Sequence, residues 1–397
     1  MGEPTPSRAG PLRYVAFVTA SVYLGQGAVA PVLPQIADDF RLSVVTAGLV
    51  FSSFALARLF LNVPFGFLSD RYGRRRMMIA GPLLAGIGLV GSGLSGAFAP
   101  LLAMRILGGA GSAMYMTAAE AYLADITTQG NRARFIGVNQ GALLVGASIS
   151  PGLAGVLAQG IGWHRALVAM GVISVSGAVL AAARLREPDT SAAAAQERST
   201  RTSSALGGMF RRPEFMAVWL ITLATFFTRS GTRNTILPFV SEIRLDMSPG
   251  TLGLVLTGMM IVQGSLIIPA SRWADTYGRR RVILLGVAVA ACGPMMFAAA
   301  EAYPLFLVAA FLLATGEATG GPASAAYVAD ITPTTSRGLA MGVNRTMGDL
   351  GFILGPLVLG YVADTVGFAS ALVTNGALLA AVGLVFFRFA RKEVVTD

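Results

Sequence analysis

Long apolar segments recur along the whole chain, and short polar stretches separate them. A helix that crosses a lipid bilayer needs about 20 consecutive, mainly apolar residues. The pattern therefore predicts twelve membrane-spanning helices, six in each half of the chain. We expect these spans near residues 13–35, 44–67, 77–96, 99–123, 135–159, 166–184, 214–240, 250–271, 282–300, 304–328, 338–362 and 366–388.

The longest polar stretch, residues 185–213, separates the sixth span from the seventh. It is charged and rich in alanine, serine and threonine, a composition typical of a flexible linker. The sequence therefore predicts an N-terminal six-helix bundle at 1–184, a cytoplasmic linker at 185–213 and a C-terminal six-helix bundle at 214–397.

The two halves repeat each other at a constant spacing of 205 residues. The segment D-R-Y-G-R-R-R that begins at Asp70 returns as D-T-Y-G-R-R-R at Asp275, and Ala-Asp-Ile-Thr at 124–127 returns at 329–332. Because further matches share this spacing, the halves arose by internal duplication. Duplicated halves in a very apolar chain are typical of secondary transporters, which bind their substrate near the interface of the repeats.

Composition excludes several classes of protein. Only 13% of the 397 residues are charged, about half the fraction of a soluble protein. One cysteine, Cys292, and one histidine, His164, argue against a disulfide framework and a metal cluster. The chain has no G-x-x-x-x-G-K-[ST] motif, which argues against ATP-driven transport. We expect no cofactor, no metal and no enzymatic activity.

The basic residues predict the orientation in the membrane. With the N-terminus inside, 22 of the 30 lysines and arginines lie in cytoplasmic segments and 3 lie outside. This bias predicts an integral protein of the bacterial inner membrane with both termini cytoplasmic. It also accounts for the net charge of +10 without nucleic acid, because basic loops face anionic lipid headgroups. The expected partners are a small-molecule substrate, protons and the lipid bilayer, and we expect a monomer.

The segment G-F-L-S-D-R-Y-G-R-R-R at 66–76 resembles, almost residue for residue, the signature loop between the second and third helices of the major facilitator superfamily. Its copy at 271–281 is a degenerate form that begins with Ser271. The resemblance covers nearly the whole chain. It implies an all-α membrane fold of twelve helices in two pseudo-symmetric six-helix bundles, which work by alternating access.

Three further motifs resemble those of twelve-helix drug:proton antiporters. The segment L-G-Q-G-A-V-A-P-V-L-P at 24–34 is similar to their first-helix motif. The segment R-I-L-G-G-A-G at 105–111 resembles R-x-x-Q-G-x-G of the fourth helix, with Gly108 in place of glutamine. The segment at 146–155 approximates the fifth-helix motif but lacks its Gly-Pro, which the copy at 351–360 retains.

Both copies of the loop motif combine an aspartate with several arginines. Repetition of the whole pattern favours a cytoplasmic gate, and the alternative is a basic anchor that only sets orientation. We expect Gly73 to allow a tight reversal of the chain. The expected gate residues are Asp70, Arg71, Gly73, Arg74, Asp125, Arg132, Asp275, Arg279, Asp330 and Arg337.

Ionisable residues inside the predicted spans are costly and mark functional positions. Arg229 and Arg233 of the seventh span are spaced i, i+4 and share a helix face. Glu317 of the tenth span and Asp349 of the eleventh lie at similar depth. Because a buried carboxylate exchanges a proton when its surroundings change, we expect proton coupling at these two acids. The alternative is a static ion-pair network.

The family resemblance adds two expectations about the site. It places the arginine of the fourth-helix motif, Arg105, in proton coupling. It also implies that the first, fourth, seventh and tenth helices line a central cavity, framed by the second, fifth, eighth and eleventh. The expected residues of the substrate cavity are Tyr23, Gln26, Arg58, Tyr115, Arg229, Arg233, Glu317 and Arg345.

The sequence favours a secondary active transporter that exports small amphipathic molecules or drugs in exchange for protons. The first span has no acid between Leu12 and Ile36, which keeps a mechanism without protons open. One alternative is a uniporter or importer of a small organic anion, or a lipid flippase, with Arg229 and Arg233 as an anion clamp. An alternative of another class is a non-transporting membrane sensor or scaffold.

Overall fold

The computed structural model describes residues 9–127, 131–188, 209–333 and 336–390. These residues are helical almost throughout, and no strand occurs among them. The helices of the first half are α1 (Ala9–Gln26), α2 (Leu33–Phe40), α3 (Val44–Tyr72), α4 (Arg74–Leu94), α5 (Phe98–Asp125), α6 (Arg132–Ile161) and α7 (Trp163–Arg184).

The first predicted span is a composite of α1, a 3₁₀ segment at Gly27–Val32 and α2. Pro31 lies inside the 3₁₀ segment and Pro34 follows it. Proline has no backbone N–H and cannot continue the regular α-helical bonding, so the helix tightens here.

The second half follows the same order. Its helices are α8 (Pro213–Phe227), a π-helix at Thr228–Ile236, α9 (Leu237–Leu245), α10 (Pro249–Tyr277), α11 (Arg279–Ala298), α12 (Tyr303–Ile331), α13 (Arg337–Val366) and α14 (Phe368–Phe389). The seventh predicted span is therefore a composite of α8, the π-helix and α9.

The expected twelve-helix architecture is confirmed. Among the described residues, ten helices are long and apolar enough to cross a membrane. The other two predicted spans are α5 and the composite that begins with α8. Both are helical over the expected residues, so all twelve predicted spans correspond to helices.

The described residues form two compact units. The first unit comprises the described residues within Met1–Val32 and Ser53–Ala195. The second unit comprises the described residues within Leu33–Ser52 and Gln196–Asp397. Residues 189–208 of the predicted linker lie outside the described residues. The boundaries of the two predicted bundles stay a prediction.

The segment Leu33–Ser52 belongs to the second unit through specific contacts. The carboxylate of Asp364 on α13 accepts hydrogen bonds from the backbone N–H groups of Val44 and Val45, each at 2.9 Å. The hydroxyl of Ser52 donates to the carbonyl of Ile353 at 2.8 Å. Asp364 thereby satisfies donors at the start of α3 that have no partner within that helix.

The duplication is visible in the turns. Gly73 (φ 95°) lies between α3 and α4, and its repeat Gly278 (φ 89°) lies between α10 and α11. Gly162 (φ 82°) lies between α6 and α7, and its repeat Gly367 (φ 106°) lies between α13 and α14. Glycine adopts positive φ without steric cost. The tight reversal expected at Gly73 is confirmed, and its repeat lies 205 residues further on.

The helix contacts are duplicated as well. A Cβ atom on Gly111 would lie 2.4 Å from the backbone nitrogen of Ala85, and one on Gly316 would lie 2.3 Å from that of Ala290. Both pairs are 205 residues apart. Any side chain at either glycine would force α5 away from α4, or α12 away from α11, because such distances are shorter than van der Waals contact.

A buried threonine–asparagine hydrogen bond also recurs. In the first unit Thr19 of α1 donates to Asn139 of α6 at 2.6 Å. In the second unit Thr222 of α8 donates to Asn344 of α13 at 2.8 Å. Because buried polar groups need partners, the first bond fixes how α1 packs against α6, and the second fixes how α8 packs against α13.

Candidate functional site

The π-helix at Thr228–Ile236 carries two arginines of the candidate site. A π-helix is rare and marks functional positions. Asn375 of α14 accepts a hydrogen bond from Thr228 at 3.0 Å and donates one to Thr232 at 2.7 Å. On the opposite side a Cβ atom on Gly231 would lie 2.6 Å from the carbonyl oxygen of Gly355. These contacts hold the wider turn between α13 and α14.

Glu317 of α12 is the centre of the site. Its side chain is 1% exposed, and its Oε2 atom lies 2.8 Å from Nη1 of Arg233 and 3.7 Å from Nη2 of Arg229. Arg233 is also buried, whereas the side chain of Arg229 is 25% exposed. The structure therefore brings together two arginines of the seventh predicted span and the glutamate of the tenth.

The two oxygens of this carboxylate differ. Oε2 receives both guanidinium groups, but Oε1 is buried and has no hydrogen-bond partner among the described residues. The Nε atom of Arg229 is likewise buried without a partner. Two cations and one anion leave one positive charge in excess. Buried polar atoms are seldom left unpaired, so this site can accept a further hydrogen-bonding group.

The guanidinium of Arg229 is held by an aromatic ring. Its Cζ atom lies 5.1 Å from the ring centroid of Phe226 on α8. A cation near a ring face is attracted by the negative electrostatic potential of the ring. Arg229 thus has one weak ion pair and one aromatic contact, and it is the more exposed of the two arginines.

Two other predicted residues lie on α13, which packs against α8 and the π-helix. Asp349 is buried, with 6% of its surface exposed, and Arg345 is half-buried. The expected role of Asp349 in proton coupling and that of Arg345 in the substrate cavity stay predictions.

In the first unit, Arg105 of α5 is buried, with 3% of its surface exposed. Its Cζ atom lies 4.8 Å from the ring centroid of Phe54 on α3. Arg105 and Gln26 line one small cavity with Ser112. The role of Arg105 that the family resemblance implies stays a prediction.

The structure places three other predicted cavity residues in different surroundings. Tyr115 is fully buried in the core of the first unit, and its hydroxyl lies 2.6 Å from that of Thr19. The hydroxyl of Tyr23 donates to the sulfur of Met116 at 3.3 Å. Arg58 on α3 is half-buried. The expected role of these three residues in the substrate cavity stays a prediction.

The predicted gate residues form two equivalent groups. In the first arginine cluster, Arg74 forms ion pairs with Asp70 and with Asp125, the latter at 3.1 Å. In the second arginine cluster, Arg279 forms ion pairs with Asp330 and with Asp275, the latter at 3.6 Å. The gating role of both clusters stays a prediction.

Electrostatics in the first cluster favour the charged arginine. Burial alone would lower the pKa of Arg74, but hydrogen bonds and charges from Asp70 and Asp125 outweigh it and raise that pKa above its usual value. Arg74 therefore keeps its positive charge at physiological pH.

The remaining predicted gate residues are Arg71, Arg337 and Arg132. Arg71 is exposed, with its guanidinium 5.6 Å from the ring of Tyr72. Arg337 donates from Nε to the carbonyl of Ala329 at 3.1 Å. Arg132 begins α6, but its side chain lies outside the described residues.

The sequence reasoning missed Glu187, at the end of the first unit. Its carboxylate accepts hydrogen bonds from the backbone N–H groups of Arg74 at 2.5 Å and Arg75 at 3.0 Å, and so caps α4. The position 205 residues later is Lys392, which lies outside the described residues. Comparing the two copies at this position would have revealed the difference in charge.

Comparison with known proteins identifies the family. The model of the Major Facilitator Superfamily matches residues 15–243 and 222–396. Multidrug resistance protein 1 of Bacillus subtilis is 25% identical over 346 residues, which cover 86% of this chain and 87% of that protein. Quinolone resistance protein NorA of Staphylococcus aureus is 22% identical over 366 residues and 92% of each chain.

Solved structures show the same fold. A bacterial homologue of the human lysosomal transporter Spinster, in an inward-facing and occupied conformation, aligns with a TM-score of 0.86 over 97% of each chain, at 16% identity. The D-xylose–proton symporter aligns with a TM-score of 0.78 over 96% of this chain and 97% of that one, at 17% identity. The family matches cover both halves of the chain, so it belongs to the Major Facilitator Superfamily and is a multi-pass membrane carrier, not an enzyme.

Proposed function

We propose that this chain is a proton-coupled exporter of small amphipathic molecules in the bacterial inner membrane, with both termini cytoplasmic. The observation that carries the proposal is the buried carboxylate of Glu317, of which one oxygen meets two arginines and the other meets no partner. The similarity to multidrug and quinolone resistance proteins supports this class of substrate. The excess of arginines in the segments that this orientation places in the cytoplasm supports the orientation.

The proposed coupling depends on the unequal positions of the two arginines. Arg233 is buried at 2.8 Å from Oε2, and Arg229 is partly exposed at 3.7 Å. Movement of Arg229 away from the carboxylate would remove part of the charge that stabilises its ionised form, which favours proton uptake. Return of Arg229 would favour release. Alternating exposure of the site to the two sides of the membrane would then exchange a proton for substrate.

A second function is favoured by the charge of the same site. Arg229, Arg233 and Glu317 carry a net positive charge. A small organic anion or a lipid phosphate would neutralise the excess, with Arg229 as its first contact because that side chain is the more exposed. This function is uniport, import or lipid transfer without a proton. It stays the alternative because the similarity to multidrug and quinolone resistance proteins supports export of drugs.

A growth assay and a flux assay test the proposal together. Wild type and Glu317→Gln are expressed at matched levels in a pump-deficient bacterium and exposed to a panel of apolar drugs. Purified protein in liposomes is then tested for substrate-driven proton release with an internal pH dye. We expect drug tolerance and proton release in wild type, and loss of both in Glu317→Gln. The matched control is Glu301→Gln, which changes an exposed glutamate.

Two outcomes separate the candidate functions. Drug-driven proton movement that persists in Glu317→Gln would contradict the role of this carboxylate. Transport of an anionic substrate without proton movement, lost in Arg229→Ala but retained in Glu317→Gln, would contradict export and support the anion alternative.

A further inference from the structure

A small cavity lies within the first unit, among helices α1, α3, α4, α5 and α7. Its lining includes Gln26 of α1, Phe54 of α3, Ser174 of α7, and Arg105 and Ser112 of α5. The space open to the centre of a water molecule is about 10 Å³. This is about the smallest volume that holds one water molecule.

Two polar atoms of this cavity have no hydrogen-bond partner among the described residues. They are Oε1 of Gln26 and Oγ of Ser112, and both atoms are buried. Ser112 is 2% exposed. A buried hydroxyl on a helix commonly donates to the carbonyl four residues earlier, as Ser92 does to Gly88 at 2.7 Å. Ser112 makes no such bond.

We propose that this cavity binds a single water molecule, held by Gln26 Oε1 and Ser112 Oγ beside the guanidinium of Arg105. Water has two donors and two acceptor positions, so it can donate to the amide oxygen and bond the hydroxyl at once. Arg105 offers only donors, and a water oxygen in this cavity can accept from it. Without such a ligand, two polar atoms would be buried at a cost next to a buried cation.

The duplication supplies an independent reason for a ligand here. Ser112 and Glu317 are 205 residues apart and occupy equivalent positions on α5 and α12. In the second unit the side chain of Glu317 reaches two arginines directly. Serine is too short to make such a contact in the first unit. A bound water extends the reach of the hydroxyl and completes the polar contacts.

The sign of one stability change tests the proposal. Ser112→Ala removes a hydroxyl that, with the water in place, is hydrogen-bonded, and it should lower the apparent melting temperature of purified protein by about 1–3 °C. In a dry cavity the same change removes an unpaired buried polar atom, and the melting temperature would rise or stay unchanged, which would overturn the proposal. The control is Ser92→Ala, which loses a known hydrogen bond.

A crystal structure of the full chain at about 2 Å resolution tests the site directly. We expect one density peak within hydrogen-bond distance, about 3.2 Å or less, of both Gln26 Oε1 and Ser112 Oγ. Absence of the peak, with well-ordered side chains around the cavity, would overturn the proposal. Neither experiment depends on transport, so failure of the proposed function would leave this result unaffected.

Discussion

Ser112 and Glu317 occupy equivalent positions in the two units, but one side chain is neutral and the other is charged. A neighbouring position on the first helix of each unit differs in the same way, with a neutral side chain in the first unit and a charged one in the second. Thr19 and Thr222, which make equivalent hydrogen bonds, are 203 residues apart, and that spacing pairs Gln26 with Arg229. The first unit thus has a polar cavity with one arginine, Arg105, where the second has a carboxylate paired with two arginines.

The comparison separates what duplication preserved from what later diverged. The four turn glycines and several glycines at helix contacts, such as Gly111 and Gly316, match between the units, since any added side chain there would strain the turn or separate the helices. Side chains that face the polar sites do not match. Packing tolerates few changes, whereas a polar pocket can change its charge without moving a helix. We therefore expect chemistry to be concentrated in the second unit.

We expect the largest effect from Glu317→Ser, which places the serine found at position 112 of the first unit at the equivalent position of the second unit. Glu317→Ser leaves Arg233 buried without its counter-charge, which costs about 3–5 kcal/mol, and removes the proposed proton site. We expect loss of transport in liposomes and a lower melting temperature. Ser112→Ala in the first unit should retain transport. Equal losses of transport in both variants would mean that the two sites contribute equally.

A double substitution sharpens the same point. Glu317→Met leaves both arginines without a carboxylate, whereas Arg233→Met with Glu317→Met removes the buried charges together. Uncompensated buried charge is the main penalty, so the double variant should be more stable than Glu317→Met alone, by about 1–3 kcal/mol. Detergent-induced unfolding of the wild type, Glu317→Met, Arg233→Met and the double variant measures the difference. Additive losses would show that Arg233 and Glu317 are not energetically coupled.

The two arginine clusters offer a smaller contrast. The side chain of Arg74 is 16% exposed and that of Asp125 is 22% exposed, whereas in the second cluster the side chain of Asp330 is 52% exposed. Exposed ion pairs contribute about 0–1 kcal/mol because water screens them. We expect Arg74→Ala to lower stability by about 1–2 kcal/mol and Arg279→Ala by less than about 1 kcal/mol. The reverse order, in thermal unfolding at low salt, would contradict this ranking.

The smallest effect concerns pH and the end of α9 in the second unit. Burial, with repulsion from Asp38 and Asp246, raises the pKa of Glu242 above its ordinary value of 4.5. A raised pKa in the folded state means that stability is present at low pH and lost as pH rises through that pKa. Glu242→Gln should therefore raise the melting temperature at pH 7 and leave it unchanged near pH 4. A gain that is equal at both pH values would rule out titration as its cause.

Sequence reasoning predicted the repeated framework well. The twelve spans and the turn at Gly73 follow from apolar length and from the conformational freedom of glycine, and both are confirmed. It also placed Arg229, Arg233 and Glu317 near one another, because ionisable residues in apolar spans require partners. It did not show that Arg229 and Arg233 both lie near Oε2 of Glu317. The direction of these two side chains depends on the π-helix, which is held by hydrogen bonds to Asn375 and by the close packing of Gly231.

The sequence by itself determined the family, the number of helices, the duplication and the residues that carry charge inside the spans. Only the tertiary structure decided that Leu33–Ser52 packs with the second unit, that Tyr115 is a core residue, and that Gln26 and Ser112 share a cavity. Hydropathy and spacing report on single helices. Which side chains meet depends on how close neighbouring helices approach, and the contacts between helices determine that approach.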